Sequence, residues 1–228
     1  MVLILAGNID ENTAEIVLKN FKDRSGQTKI PRKIYSVETG KPAPLVVEKK
    51  FGIAQTYLNI GARTVCSSHP DVAKLDLASA MLSGGTSSRL FVELREKSGL
   101  TYDVNSNHNK GFDFGYFSIG CAIKNKNLGK AKKVILKELS KLRTEKVAIE
   151  ELERSKNLII AEILRGMDNP HEASEIIAYL EMQFKNERAL LDYVSRIKAV
   201  SSLDIIEAAN TYLKEDNLST VLLEPKRK

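Results

Sequence analysis

The sequence predicts an α+β fold in which helices cover one face of an antiparallel sheet. Segments with the alternating pattern of half-buried strands fall between residues 53 and 123, whereas the chain from residue 128 almost to its end has helical periodicity. Strands followed by helices in this way are typical of α+β domains. The 228 residues are 43% hydrophobic and 28% charged, a composition typical of soluble domains that bury a substantial core.

The first 50 residues predict a small strand-helix unit and a linker. Residues 2–6 are apolar but too few for a signal segment or a membrane span, so we interpret them as a buried strand. A helix is predicted over about residues 11–21. Its apolar face consists of Ala14, Val17, Leu18 and Phe21. Residues 23–50 are polar and rich in Gly and Pro, which oppose both helix and central strand, and we interpret them as a linker to a main domain of residues 51–228.

The main domain is predicted to open with a strand and a helix. Apolar and polar residues alternate over residues 53–60, as in a half-buried strand. Ser68 and Asp71 have the spacing of a capping box, which predicts that a helix follows them. Gly84 and the glycine after it end this helix.

A second helix and a hairpin are predicted next. The helix runs over about residues 87–97 and stops at Gly99. Strands over residues 100–106 and 113–123 flank a turn at residues 109–111, which is a hairpin signal. The second strand has one apolar face, formed by Phe117, Ile119, Cys121 and Ile123.

The C-terminal half is predicted to be helical with a closing strand. Asn169 followed by Pro170 is a helix-start signal. Ser201 and Asp204 form a second capping box. A final strand is predicted over residues 218–223.

The net charge of +6 does not predict nucleic-acid binding. The lysine-rich stretch of residues 124–146 also carries apolar residues at helical spacing, so we interpret its lysines as a solvated outer face. Tryptophan is absent, and basic and aromatic residues are not interleaved. No apolar run approaches the roughly 20 residues that span a bilayer. We therefore expect neither a nucleic-acid nor a membrane partner.

Cysteine usage favours a reducing compartment. Cys66 and Cys121 are far apart and belong to no CxxC arrangement. We expect both to be free, buried thiols, and the chain to be cytoplasmic.

No catalytic or metal-ligating set stands out among the histidines. His69, His108 and His171 lack the spacing of a metal site. His171 and the glutamate after it begin a pattern like HExxH, but the fifth position is Glu175. Gly84 belongs to a glycine pair that resembles a phosphate-binding loop, but the lysine of such a loop is missing. We therefore expect this chain alone to contain neither a catalytic residue nor a metal site.

One local cluster could bind a substrate. Arg95 lies near the end of a predicted helix, Gly99 at the break, and Tyr102 two or three residues into the next predicted strand. An arginine fork and a tyrosine hydroxyl could together hold a peptide carbonyl and stabilise a developing oxyanion. From the residues alone a purely structural role is the favoured interpretation, because arginine complements a helix C-terminus and tyrosine suits a strand.

Five stretches of the chain resemble the C-terminal domain of the pitrilysin superfamily of zinc metallopeptidases. They are residues 69–71, 82–91, 94–102, 115–117 and 150–156. This superfamily includes insulin-degrading enzyme and mitochondrial processing peptidase. The resemblance extends from about residue 52 to the C-terminus, and residues 1–22 resemble the closing strand and helix of the zinc-bearing domain that precedes it.

The resemblance implies a role in substrate binding. Arg95 and Tyr102 match the Arg/Tyr pair that, in active members, reaches substrate bound at the zinc. The zinc ligands and the glutamate base of the HxxEH motif would lie upstream, so we expect a truncated reading frame whose product is not catalytic alone. Its expected partners are a zinc-bearing N-terminal half or subunit and a peptide substrate, and a homo-oligomer stays open. The alternative is a non-catalytic partner or scaffold subunit of the same superfamily.

Overall fold

The computed structural model describes residues 2–22, 44–186 and 188–226. The α-helices are α1 (Glu11–Lys22), α2 (Val72–Ser83), α3 (Leu128–Thr144), α4 (Ile149–Asp168), α5 (Pro170–Phe184), α6 (Ala189–Ala199) and α7 (Ser202–Tyr212). The strands are β1 (Leu45–Lys50), β2 (Thr56–Arg63), β3 (Val104–Lys110), β4 (Gly115–Ile123) and β5 (Leu218–Pro225). Shorter helical segments are a π-helix (Phe91–Glu96) and two 3₁₀ turns (Asn125–Asn127 and Glu215–Asn217). The predicted α+β class is confirmed.

The five strands form one sheet in the order β1-β5-β2-β4-β3. Three of its four strand pairings are antiparallel, and the fourth, between the edge strand β1 and β5, is parallel. The sheet is therefore mixed rather than antiparallel, and the last six residues of the predicted linker form a strand. Pro44 lies just outside that strand and accepts a hydrogen bond from the Thr220 N–H (3.1 Å), so its missing N–H costs the sheet nothing. Residues 23–43 of the predicted linker lie outside the described residues.

One face of the sheet is buried under helices α2, α3 and α7. Strand β2 alternates as predicted, with Leu58 and Ile60 buried and Tyr57 exposed. It begins three residues later than predicted because the chain first turns at Gly52, whose φ is +80°. The predicted apolar face of β4 is confirmed, since Phe117, Ile119, Cys121 and Ile123 are all buried. Helices contribute further core residues: Leu75, Leu77, Leu82, Ile135, Leu139 and Ile205.

Two of the three predicted helix starts are confirmed. Asn169 accepts hydrogen bonds from the first backbone N–H groups of α5, and Ser201 forms a capping box at α7. The capping box at Asp71 is wrong, because its carboxylate instead accepts from Tyr212 (2.8 Å) and pairs with Lys74 (3.0 Å). Burial favours the protonated form of Asp71, but hydrogen bonds from Lys74 and Tyr212 outweigh it and hold the pKa of this carboxyl below its ordinary value.

The N-terminal segment forms its helix but not its strand. Helix α1 agrees with the prediction, whereas residues 2–6 have no regular structure, and Val2 and Leu5 are each 41% exposed. In the described part of the chain no strand pairs with residues 2–6, and a single strand leaves its own backbone groups unpaired. The assignment of residues 1–22 to a preceding domain stays a prediction.

Both cysteines are free, as predicted. Cys121 is buried in the sheet, and burial raises the pKa of its thiol to about 11. Cys66 is only half-buried. Across the described residues, no helix combines the length and apolar character needed to cross a bilayer.

Candidate functional site

The segment between α2 and the π-helix is held against α4. Gly84 follows the last residue of α2, and an added Cβ there would lie 2.5 Å from the Ala80 carbonyl oxygen and 2.6 Å from Leu158 Cδ2, so glycine permits this close approach. Arg89 then donates two parallel hydrogen bonds to the Glu151 carboxylate of α4, at 2.7 and 2.8 Å. Such a bidentate pair fixes orientation as well as distance. The start of the π-helix that follows Arg89 is therefore held in a fixed position against α4.

The second predicted helix is a π-helix rather than an α-helix. The Lys97 N–H donates to the Val92 carbonyl (2.9 Å), five residues back, which is the hydrogen bond that defines a π turn. Gly99 ends the turn with φ +55°, as its position in the sequence predicted. Leu94 and Leu100 are both buried and anchor the turn to the core. π turns are frequent at functional sites.

Tyr102 precedes the hairpin instead of lying within its first strand. Strand β3 begins at Val104, four residues later than predicted. The cause is Thr101, whose buried hydroxyl lies 2.8 Å from the Ala122 carbonyl oxygen and 2.7 Å from that of Asp103. These side-chain hydrogen bonds take the place of backbone pairing with β4 at residues 101–103, so that β3 begins only at Val104. Tyr102 is consequently directed outward and is 79% exposed.

Arg95 and Tyr102 lie side by side at the surface. The Arg95 guanidinium carbon is 4.2 Å from the centre of the Tyr102 ring and 4.7 Å from that of Phe91. The guanidinium is thus held between two aromatic rings, which favours a cation. Among the residues that the structure describes, neither this guanidinium nor the Tyr102 hydroxyl has a hydrogen-bond partner. The structure brings the two predicted residues together, and their role stays a prediction.

A cavity of about 590 Å³ opens beside this pair. Its lining includes Arg95, Tyr102 and three lysines, Lys124, Lys126 and Lys130. The sequence placed these lysines on a solvated outer face because helical periodicity dominates that stretch. Lys124 and Lys126 precede α3, however, and this position before the helix was the signal that could have separated them from the rest.

A second polar cluster was missed entirely by sequence reasoning. Asp76 of α2 accepts hydrogen bonds from Lys110 (2.7 and 2.9 Å) and from the Tyr193 hydroxyl (2.6 Å). Its carboxylate also lies 2.8 Å from His108 Nδ1, and since an ionised carboxylate only accepts, that nitrogen carries the proton. His108 Nε2 lies 3.2 Å from the Thr64 hydroxyl. The sequence signal that could have indicated this buried cluster was Asp76 itself, an acidic residue between two leucines in a predicted helix.

The charge of Asp76 is stabilised in the folded protein. Burial opposes ionisation, but the hydrogen bond from His108 and the charge of Lys110 outweigh burial and hold the pKa of this carboxyl below its ordinary value. Burial and the charge of Asp76 in turn raise the pKa of the Tyr193 hydroxyl. Asp76 is thereby kept ionised and the Tyr193 hydroxyl protonated at neutral pH.

The three histidines are placed apart and do not form a metal site. His69 Nδ1 accepts from the Asp71 N–H (3.1 Å), and His171 is exposed with its nearest carboxylate, that of Glu175, 3.6 Å away. Within residues 2–22, 44–186 and 188–226, no group of three His, Cys, Asp or Glu side chains could hold a metal ion. The residues described here therefore do not fit a zinc ion.

Comparison with known proteins gives a consistent result. An "Uncharacterized zinc protease" of Rickettsia bellii is 29% identical over 233 residues, covering 96% of this chain and 52% of the relative. The "Probable inactive metalloprotease YmfF" of Bacillus subtilis is 24% identical over 208 residues, covering 90% of this chain and 48% of the relative. The crystal structure of a protease from Helicobacter pylori superposes with a TM-score of 0.85 at 22% identity, covering 96% of this chain and 54% of that one.

This chain spans about half the length of the relatives it matches. The solved structure supports the fold alone, because identity at that level does not establish function. The family model described as "Peptidase M16 inactive domain" matches residues 1–159, which is most of the chain. That match confirms the resemblance inferred from the sequence motifs, and the chain belongs to the family of peptidase M16 inactive domains.

Proposed function

We propose that this chain is the substrate-gripping half of a zinc metallopeptidase, in which Arg95 and Tyr102 hold the backbone carbonyl of a bound peptide. The observation that carries the proposal is the pair itself. Its donors have no partner among the described residues, yet the guanidinium is held in place by two rings. Donors that are oriented in advance and left without a protein acceptor are suited to a ligand oxygen.

The chemistry of the pair suits an oxygen that gains negative charge. The planar guanidinium presents several N–H donors in fixed geometry, and a tyrosine hydroxyl adds one more. Donors that bind such an oxygen more tightly in the transition state than in the ground state lower the barrier. The orientation of Arg95 by Phe91 and Tyr102 reduces the entropy that binding would otherwise cost.

Peptide hydrolysis would need residues from outside this chain. The described residues do not fit a zinc ion, and relatives about twice as long carry names that call them zinc proteases. We therefore assign the zinc ligands to a second half or a partner subunit. This chain would supply the opposite wall of the substrate site.

A scaffold function is the second candidate. The relative YmfF, similar over 90% of this chain, is named a probable inactive metalloprotease. In such a protein the domain would act through protein-protein contacts, and Arg95 and Tyr102 would only finish a turn and cover the surface.

Kinetics of the zinc-bearing parent, or of this chain with its zinc-bearing partner restored, test the proposal. Tyr102→Phe should lower turnover by roughly 10²- to 10³-fold, the usual effect of losing one oxyanion donor. Arg95→Lys should also lower turnover, because a point charge does not reproduce the planar fork. Tyr179→Phe is the matched control, since Tyr179 is also exposed but lies on α5. It should leave turnover unchanged.

The outcomes separate the two candidates. Near-normal turnover in Tyr102→Phe would reject a role in peptide hydrolysis. A parent that assembles and binds zinc but cleaves no peptide would favour the scaffold function.

A further inference from the structure

We propose that the cavity beside Arg95 binds carboxylate groups of the peptide, so that the substrates of this site are acidic peptides. This inference rests on the proposed function and adds the substrate class. The cavity would bind an acidic side chain, or the C-terminal carboxylate, next to the segment whose carbonyl Arg95 holds.

The lining of the cavity has one sign of charge. Arg95, Lys124, Lys126 and Lys130 contribute to it, and no aspartate or glutamate does. Among the described residues none of these four cations forms an ion pair. Cations that do pair with carboxylates elsewhere include Lys74, Arg89, Lys97, Lys110, Lys141 and Lys156. The cavity therefore concentrates positive charge that the protein does not neutralise.

The fold brings the three lysines together with Arg95 of the π-helix from three successive segments. Lys124 follows β4, Lys126 lies in the 3₁₀ turn, and Lys130 lies in the first turn of α3. That turn has no acidic residue, and the side chain of Asn127 does not cap it. Cations at the positive end of a helix dipole are unfavourable by themselves. An anion in the cavity would relieve this repulsion.

The shape and composition of the cavity favour a peptide over a nucleic acid. At about 590 Å³ it accommodates a few side chains. Nucleic-acid sites on open surfaces use aromatic rings on which bases stack, but the one ring in this lining, that of Tyr102, is already stacked on Arg95. The three lysine ammonium groups of the lining are donors without acceptor capacity and are suited to peptide carboxylates.

Peptide binding to the 228-residue chain tests the inference without any catalysis. Fluorescence anisotropy compares a labelled peptide containing glutamates with the same peptide carrying glutamines, each with a free and with an amidated C-terminus. Exposed ion pairs are individually weak, so we expect the glutamate peptide to bind about tenfold more tightly at low salt. The advantage should fall towards onefold as added salt screens the charges. The amidated pair separates side-chain carboxylates from the C-terminal one.

A triple variant locates the preference. Lys124→Gln, Lys126→Gln and Lys130→Gln together should abolish the preference for glutamate while leaving the glutamine peptide bound as before. The control combines Lys133→Gln, Lys137→Gln and Lys146→Gln, which remove the same charge from exposed positions outside the cavity lining. It should retain the preference. Thermal melts of both variants show that they fold.

The remaining outcomes distinguish failure of this inference from failure of the proposed function. If peptides with and without carboxylates bind equally and Arg95→Ala weakens both, the substrate class is wrong and the proposed function stands. If no peptide binds, both are wrong. Tighter binding of a single-stranded oligonucleotide that depends on the same three lysines would overturn the assignment to peptides.

Discussion

The cluster around Asp76 and the cluster around Arg95 differ in whether their side chains have hydrogen-bond partners within the protein. Around Asp76, the side chains of His108, Lys110 and Tyr193 all pair with its carboxylate, and the His108 side chain is only 1% exposed. Around Arg95, the donors have no partner among the described residues, and Tyr102 is 79% exposed. Both clusters combine groups that carry out chemistry in many enzymes. Only the second one leaves its hydrogen-bonding capacity available.

The difference predicts how each cluster should respond to substitution. A buried network whose members pair with one another stabilises one arrangement of α2, β3 and α6. An exposed cluster contributes little to stability, because water would serve its donors equally well in the unfolded chain. The first should therefore respond to substitution through folding, and the second through binding.

The largest expected effect is that of Asp76→Ala. Its removal strips the acceptor from Lys110 and Tyr193 and leaves buried donors and a charge unpaired. We expect the free energy of unfolding to fall by about 3–5 kcal/mol, as when a buried pair is broken. Urea unfolding at neutral pH measures it. Asp103→Ala, at an exposed acid, should change stability by less than about 0.5 kcal/mol. Equal effects of the two substitutions would remove the distinction between the clusters.

The pH dependence of stability should show the same carboxylate. The pKa of Asp76 is lower in the folded protein than its ordinary value of 3.8. Its contribution is therefore complete above that ordinary pKa and is lost as the pH falls through the lower, folded pKa. Asp76→Asn lacks this titration. The difference in urea midpoint between the unmodified protein and this variant should become smaller below about pH 4. If the difference stays constant, the ionisation of Asp76 does not cause the pH dependence of stability.

A smaller effect is expected at Phe91, which positions Arg95. Phe91→Leu removes one of the two rings around the guanidinium, and an exposed cation–π contact is worth about 0.5–1 kcal/mol. Peptide affinity should weaken by about two- to fivefold. Phe91→Tyr keeps a ring and should restore affinity at an equal melting temperature. If both variants bind alike, ring stacking does not orient Arg95.

The smallest effect should be that of the exposed pair on folding. Tyr102→Phe and Arg95→Ala should each change the free energy of unfolding by less than about 0.5 kcal/mol. Thermal melts beside those of Asp76→Ala make the comparison in one experiment. A loss of stability above about 1 kcal/mol in either variant would assign the pair to the architecture instead.

Local sequence patterns predicted most of the fold. Within the candidate site they predicted Arg95 and Tyr102 but not the lysines of the cavity. The alternation in β2 and β4 and the caps at Asn169 and Ser201 were identifiable because each signal lies within a few residues. The cluster of Asp76, His108 and Tyr193 was not, since its members are far apart in sequence and meet only when α2, β3 and α6 pack. Strand β1 was missed for the same reason, because its partner β5 is near the opposite end of the chain.

Within the site, competing local interactions decided what could be predicted. The spacing of Arg95 and Tyr102 around Gly99 predicted that they meet, and the family resemblance suggested their role. The outward direction of Tyr102 was not predicted, because the Thr101 hydroxyl bond to the Ala122 carbonyl depends on the neighbouring strand. Lys124 and Lys126 were hidden in a stretch whose periodicity describes only the helix after them.

The π turn at Phe91–Glu96 has a consequence for insertions and deletions. A π-helix carries one residue more per turn than an α-helix, so removing a single residue between Phe91 and Arg95 would restore ordinary helical pitch without breaking the helix. Because the wider turn absorbs the additional residue, the residues after such a deletion would keep nearly the same orientation, and Arg95 would stay beside Tyr102. In a relative that lacks this one residue, the arginine and the tyrosine would therefore still lie together, although the phenylalanine would stand one position closer to the arginine in the sequence.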